Sequence, residues 1–409
     1  MLFNRFLRER SNREVKERRT SPTGGDALED TLRALKSTSL AVRASKLGTN
    51  TLKNLWRLNN PFVSDSVELQ QAYKQELMST FGKTNGEAWT AIAHTVAQSL
   101  QPHLRRMEDI NGASYVVSIV KDVSRDVTLA AILQGLFGID NVAPELLSYI
   151  GNEIHRLTVG KKQFDAGAAN PDLLPQDLQR AADRLMHKLR DLFSEAKESS
   201  QLARRLLCSV SGSPNDFNPL NMVIPAFEAP WRATYYTLLA TLQSGPTRPA
   251  NLLTLRDYVP HLQPPPAALA VAYESLRLYP PIRRVRRDRR VDIEAIQRDP
   301  KYWGPTAGGY DPSRFLDRNG KINGSLVGPG SAWMPFAVGT MKCPSAGGYS
   351  ARLILVIVGE VLRQLFPDDC SPHWHLDGPE WDTSAKNGDT LRAGRDEYAS
   401  VRVVVTSPS

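Results

Sequence analysis

Two groups of residues in this chain have types and spacings that could do chemistry. The first is a single cysteine on a Gly/Pro-rich loop, in Trp333-Met-Pro-Phe-Ala-Val-Gly-Thr-Met-Lys-Cys-Pro-Ser-Ala-Gly-Gly-Tyr349, followed by an apolar run from Ala351 to Leu362. A cysteine just ahead of a helix lies near the positive end of the helix dipole and among loop amides, both of which favour thiolate over thiol. Gly339 allows a backbone turn that a side chain would block, and Phe336 can lie against a flat cofactor beside the sulfur. Those are the needs of a cysteine that ligates haem iron. The second group is Glu274 and Arg277, three apart on one helical face. Alone, such a pair is more often a surface ion pair contributing about 0.3–0.5 kcal/mol. A lone cysteine is likewise more often a small core residue.

The spacing of Phe336, Gly339 and Cys343 resembles the haem-binding loop of the cytochrome P450 family, the haem-thiolate monooxygenases. Glu274 and Arg277, within Tyr273-Glu-Ser-Leu-Arg-Leu-Tyr-Pro-Pro281, match that family's Glu-x-x-Arg pair. Between them and the cysteine, Arg298-Asp-Pro-Lys-Tyr-Trp-Gly-Pro305 and Tyr310-Asp-Pro-Ser-Arg-Phe-Leu316 look like the meander, with Arg314 as third member of a buried structural triad. Three motifs in the right order carry the resemblance. It implies a mainly α fold with small β-sheets, one large haem-binding domain over residues 26–409, and haem b (iron protoporphyrin IX) on Cys343. It also implies that Trp89, Arg286 and Lys342 help hold the haem propionates. Position 93, where the family often has Arg, is Ala, and His94 lies one residue on. A helical step of about 100° turns His94 aside, so it is either a propionate ligand or an ordinary surface or core histidine.

The elements that must position these residues fit a chain of 409 residues, 41% of them hydrophobic. Length alone would allow two or three domains; the resemblance replaces them with one. Residues 1–25 are charged and end in Ser-Pro-Thr-Gly-Gly, the composition of a flexible segment. Leu2, Phe3, Phe6 and Leu7 could touch a membrane surface, but no apolar run is long enough to cross one. Three cysteines and no secretory segment point to a reducing compartment and a cytoplasmic protein, with Cys208 and Cys370 as packing residues.

Helical periodicity begins near Asp26, with Leu28, Leu32 and Leu35 on one face. The stretch from Trp56 to Tyr73 resembles the end of an N-terminal sheet and its following helix, N-capped by Ser64 or Asp65. Only a few residues precede the next helix at Gly86, where most relatives have a loop that walls the substrate pocket. Further helices are expected over Ser114–Gly138, Pro144–Val159, Leu174–Ser199, Gln201–Val210 and, as one long element, Leu220–Leu242. The basic run Arg283–Arg290 reads either as a nucleic-acid patch or as the strand beside the haem, and the resemblance selects the strand. The usual hairpin after it looks to be missing. His373 and His375 have no third metal ligand nearby and read as strand or loop packing, and Tyr398–Thr406 alternates as a strand.

The central helix departs from the family. An acid followed by threonine normally delivers protons to bound dioxygen; here Glu228 keeps the acid, but Ala229 or Pro230 stands where the hydroxyl belongs. A carboxylate can relay protons; alanine and proline have no side-chain donor. Proline also removes an amide and kinks the helix. Thr234 is a distant substitute, and Arg232 is either a clamp for a substrate carboxylate or an exposed helix arginine. In the loop, Met341 and Ser345 replace an Arg or His and a glycine.

The expected activity is oxidation of a small apolar metabolite by an atypical soluble member, of the kind found in fungal secondary metabolism. Glu228 would serve as proton relay. The alternatives are a peroxide-driven or redox-neutral isomerase, dehydratase or peroxygenase, and a catalytically silent haem-binding or interaction protein. Without a dinucleotide or flavin fingerprint, electrons, where the reaction uses them, are expected from a separate reductase or ferredoxin. A formal charge of +8 suits an acidic protein partner or is simply a solvated basic surface.

Overall fold

The computed structural model describes residues 27–37, 39, 50–109, 112–117, 120–167, 175–195, 218–243, 248–286, 290–366, 373–379, 381, 390–394 and 397–406. The expectations for residues 1–25, for Cys208 and Cys370, and for a helix over 201–210 lie outside these.

Apolar periodicity folds into eleven principal helices among the described residues: α1 Ala27–Ser37, α2 Val67–Lys83, α3 Gly86–Leu100, α4 Val120–Phe137, α5 Pro144–Gly167, α6 Gln176–Glu195, α7 Leu220–Phe227, α8 Pro230–Leu242, α9 Arg248–Arg256, α10 Pro266–Leu278 and α11 Tyr349–Leu365. The middle of α11, Leu353 to Glu360, is buried on every side, as is α8 from Ala233 to Leu242. Helices apolar all round belong in a core, and α8 and α11 pack on each other at its centre. No helix among the described residues is long and apolar enough to cross a membrane.

The β-structure is small. Strands β1 Leu104–Asp109, β2 Gly112–Val117, β5 His373–Asp377 and β6 Arg402–Thr406 form an antiparallel sheet in the order β1-β2-β6-β5, with Val116 opposite Val404 and His375 opposite that same valine. Residues 114–117, expected to open a helix, are therefore strand: Tyr115, Val116 and Val117 are strong strand formers and find partners in β6. A second correction is a short hairpin where none was expected, Arg284–Arg286 (β3) paired with Arg290–Asp292 (β4). The N-cap of α2 is Ser66, whose hydroxyl accepts the Leu69 amide, rather than Ser64 or Asp65.

The expected helix over 220–242 is broken. Pro230 has no N–H to give the Ala226 carbonyl, so α7 ends at Phe227 and α8 starts at Pro230, with Glu228 and Ala229 helical in backbone but between the two. The Arg232 Nε donates to the Glu228 carbonyl at 2.9 Å, bridging the break. A second proline, Pro225, deprives the Asn221 carbonyl of its helical donor. The side chain of Asn60 supplies one instead, at 2.9 Å, and Asn60 is fully buried. Asn221 Oδ1 accepts the Asn59 amide at 2.8 Å, and Asn218 Nδ2 donates to the carbonyls of Trp56 and Arg57, both at 2.9 Å. Three asparagines thus clasp the irregular turn at 56–60 onto the start of α7, where the sequence resemblance had placed the end of a sheet.

Candidate functional site

Cys343 stands between two tight turns, Gly339–Met341 and Pro344–Gly347, ahead of α11. Its amide donates to the Phe336 carbonyl at 2.9 Å, and the Lys342 amide to Gly339 at 3.1 Å, so the loop doubles back on itself. Gly339 takes φ +78°, and a Cβ there would lie 3.2 Å from the Cα of Lys36 in α1. Only glycine fits both the backbone and the space. The Cys343 thiol is exposed, and its Sγ lies 3.0 Å from Ser345 Oγ. Burial pushes the phenol of Tyr73 in α2 well above its ordinary value, and the charge of the nearby Cys343 adds to the shift.

Beneath the loop, Glu274 and Arg277 of α10 are both fully buried and form a two-pronged ion pair, with Nε to Oε2 at 2.6 Å and Nη2 to Oε1 at 2.7 Å. Arg314 Nε donates to the same Oε1 at 3.2 Å, and the Asp311 amide at 2.8 Å. Arg277 Nη1 reaches the carbonyls of Gln297 and Ala307, both at 2.7 Å, and its guanidinium lies over the Trp303 ring at 5.0 Å. Both Nη1 bonds, and a third from Nη2 to the Gly309 carbonyl at 3.1 Å, reach the chain segment that leads to the cysteine. Gln297, fully buried, completes the link: Nε2 donates to the Leu276 and Arg277 carbonyls, and Oε1 accepts the Met334 amide at 2.8 Å. Trp333 Nε1 donates to the Tyr273 carbonyl at 3.1 Å. The start of the cysteine loop therefore hangs on α10 by two side chains that motif reading did not single out.

On the central helix, Pro225, Ala226, Glu228, Ala229, Pro230 and Arg232 are half-exposed while most of their neighbours are buried. They form an open stripe at the break between α7 and α8. Thr234 is 1% exposed and does not belong to it. Only Thr84 and Asn85 separate α2 from α3, so no long loop walls this region.

Trp89 of α3 is buried; its ring lies 5.1 Å from that of Tyr349, and the Arg352 guanidinium covers it at 4.7 Å. Arg352 also donates to the carbonyls of Pro260 and Leu262, at 2.8 and 2.9 Å. An arginine thus meets Trp89 from α11 rather than from position 93, which is a buried alanine. His94 is exposed, one helical step away from that buried position. Lys342 is exposed and, with Lys36, Trp333, Phe336 and Gly339, lines a cavity of about 310 Å³ beside the loop. Arg286 lies in β3, and its side chain is outside the described residues.

The donor set fits a haem-thiolate centre. An exposed sulfur stands on a loop of fixed shape, with a half-open aromatic ring at Phe336, a glycine cradle at Gly339 and an open stripe on a core helix elsewhere in the fold.

A family model described as Cytochrome P450 matches residues 290–347, the stretch from β4 through the cysteine loop. Among curated proteins, cytochrome P450 714C2 of Oryza sativa subsp. japonica is 36% identical over 121 residues, covering 25% of this chain and 22% of its own length. Cytochrome P450 734A2 of the same organism is 30% identical over 143 residues, covering 31% of this chain and 24% of its own. The matched part spans less than a quarter of either relative. The matched family model, the two relatives and a mainly helical fold with two small sheets agree: from β4 through the cysteine loop the chain is similar to the cytochrome P450 family, and that similarity is to proteins that carry haem.

Proposed function

We propose that this chain is a haem-thiolate oxidoreductase, in which the Cys343 thiolate would hold a haem b, with a small apolar molecule of secondary metabolism as substrate. The observation that carries the reading is the exposed Cys343 thiol on a loop tethered, through Met334 and Gln297, to the buried Glu274–Arg277–Arg314 cluster. In this reading Phe336 and Gly339 would help hold the haem at the loop, and Trp89, Arg286 and Lys342 would hold its carboxylates. His94, exposed and turned aside, takes no part. When bound, the haem supplies the oxidising chemistry, and the thiolate pushes electron density toward the iron.

The chain's own residues do the rest. The apolar members of the stripe, Pro225, Ala226, Ala229 and Pro230, seat the substrate and displace water from it. The Glu228 carboxylate holds a proton at Oε and passes it on. Electrons come from a separate donor, for which a net charge of +8 suits an acidic protein.

The break at Ala229-Pro230 favours a second reading. The stripe offers no hydroxyl, and Thr234 is buried away from it. Peroxide-driven or redox-neutral chemistry asks less of a proton relay than reduction of dioxygen does. Product formation with a reductase and dioxygen, with hydrogen peroxide alone, and with neither separates the readings. Turnover only with the reductase supports the first; turnover without it supports the second. A haem-loaded protein inactive in all three, across apolar substrates, contradicts both.

A further inference from the structure

The residue that replaces glycine two positions after the cysteine does not point idly to solvent. Ser350, the second residue of α11, donates its hydroxyl to Ser345 Oγ at 2.5 Å. Ser345 Oγ in turn lies 3.0 Å from Cys343 Sγ. A hydroxyl has one proton and two acceptor sites. Because Ser350 donates into Ser345, the Ser345 proton is left for the sulfur, and a thiolate, which has no proton, can only accept. The chain is therefore directional, Ser350 to Ser345 to Cys343, and each bond polarises the next. The backbone fixes this arrangement. The Ala346 amide closes onto the Cys343 carbonyl at 3.1 Å, folding Ser345 back over the sulfur. Gly348, at φ +108°, turns the chain into α11 so that Ser350 faces the loop.

We propose that Ser345 and Ser350 form a two-hydroxyl relay that withdraws electron density from the Cys343 sulfur, making it a weaker donor than in a loop with glycine at position 345. Both are positioning residues that act through the cysteine. The inference rests on the haem-thiolate reading. Hydrogen bonds to a ligating sulfur raise the reduction potential of the bound iron, because less negative charge reaches the metal. A weaker push also accords with a central helix that has lost its hydroxyl, since that push is what favours cleavage of dioxygen.

The test is the one-electron reduction potential of the haem-loaded full chain, measured by spectroelectrochemistry in wild type, Ser345→Ala, Ser350→Ala and Ser345→Thr, with the reduced carbon monoxide spectrum of each. The relay predicts a fall in Ser345→Ala of about tenfold in the reduction equilibrium, about 59 mV for one electron. Ser350→Ala falls by less, and Ser345→Thr, which keeps the hydroxyl, stays near wild type. A long-wavelength Soret band in all four proteins with the same potential in Ser345→Ala as in wild type overturns the relay alone. Absence of that band in wild type overturns the haem-thiolate reading and the relay with it. If Ser345→Ala retains no haem, a Ser350→Ala potential equal to wild type overturns the relay, and a lowered one supports it.

Discussion

Gln297 Oε1 accepts the amide hydrogen of Met334 at 2.8 Å while its Nε2 donates back to the carbonyls of Leu276 and Arg277. One buried side chain therefore joins the end of α10 to the start of the cysteine loop. Gln297→Leu keeps the volume but strands the Met334 amide and two carbonyls. The expected cost is about 1–3 kcal/mol, read as a lower urea midpoint, together with faster loss of haem from the loaded protein. An unchanged midpoint and unchanged retention would show that the loop is held by other means.

Arg277 and Arg314 differ in burial though both reach Glu274. Arg277 is fully buried with its partner, whereas the Arg314 side chain is 11% exposed. Removing one partner of a buried pair costs about 3–5 kcal/mol because the other charge is left unpaired. Arg277→Ala is expected to give little folded protein, and Arg314→Ala a protein that folds with a reduced midpoint, since Glu274 keeps Arg277 and the Asp311 amide. Equal losses in the two variants, by denaturation or soluble yield, would contradict this ordering.

Asn60 and Pro225 form a pair that can be tested in both directions. Asn60→Ala leaves the Asn221 carbonyl without its side-chain donor, at an expected cost of about 1–3 kcal/mol. In the double variant with Pro225→Ala, the restored amide can bond that carbonyl within α7, so the loss shrinks. The two changes should be strongly non-additive in a double-mutant cycle. Additive free energies would mean that Asn60 stabilises the turn through its other contacts.

Four buried tyrosines and the half-buried Tyr310 set the alkaline limit. Burial is the largest cause pushing the phenols of Tyr73, Tyr236, Tyr279, Tyr310 and Tyr349 above their ordinary value. Above about pH 10 the unfolded chain releases these protons and the folded chain keeps them, so stability is intact below that pH and falls as pH rises through it. Unfolding free energy measured from pH 8 to 11 should be flat and then drop, with the tyrosinate absorbance of these five residues appearing only on unfolding. Tyrosinate absorbance from these residues in a still folded protein would contradict the sign.

Much of this arrangement was written in local spacing and some of it was not. Glu274 and Arg277 could be placed on one face because three residues is nearly one helical turn, and position 93 could be set apart from 94 by the same step. A kink at Pro230 followed from its missing amide, but the full break into two helices did not. Asn218 and Asn221 meet the 56–60 turn across about 160 residues of sequence, and Gln297 meets Met334 across 37; a single polar side chain leaves no periodic trace of such a partner. Arg352 is a similar case: it reached Trp89 from a different helix, which only packing decides. Residues 114–117 misled because a short apolar run serves helix and strand alike until its partner strand is known.

We propose that Cys343 would hold a haem iron through its thiolate, and the absorption spectrum of the reduced protein under carbon monoxide, beside Cys343→Ala, tests this directly. A long-wavelength Soret band in wild type that is lost in the variant is the result expected of a thiolate ligand. A short-wavelength band that the substitution leaves unchanged, or no bound haem in wild type, would contradict it.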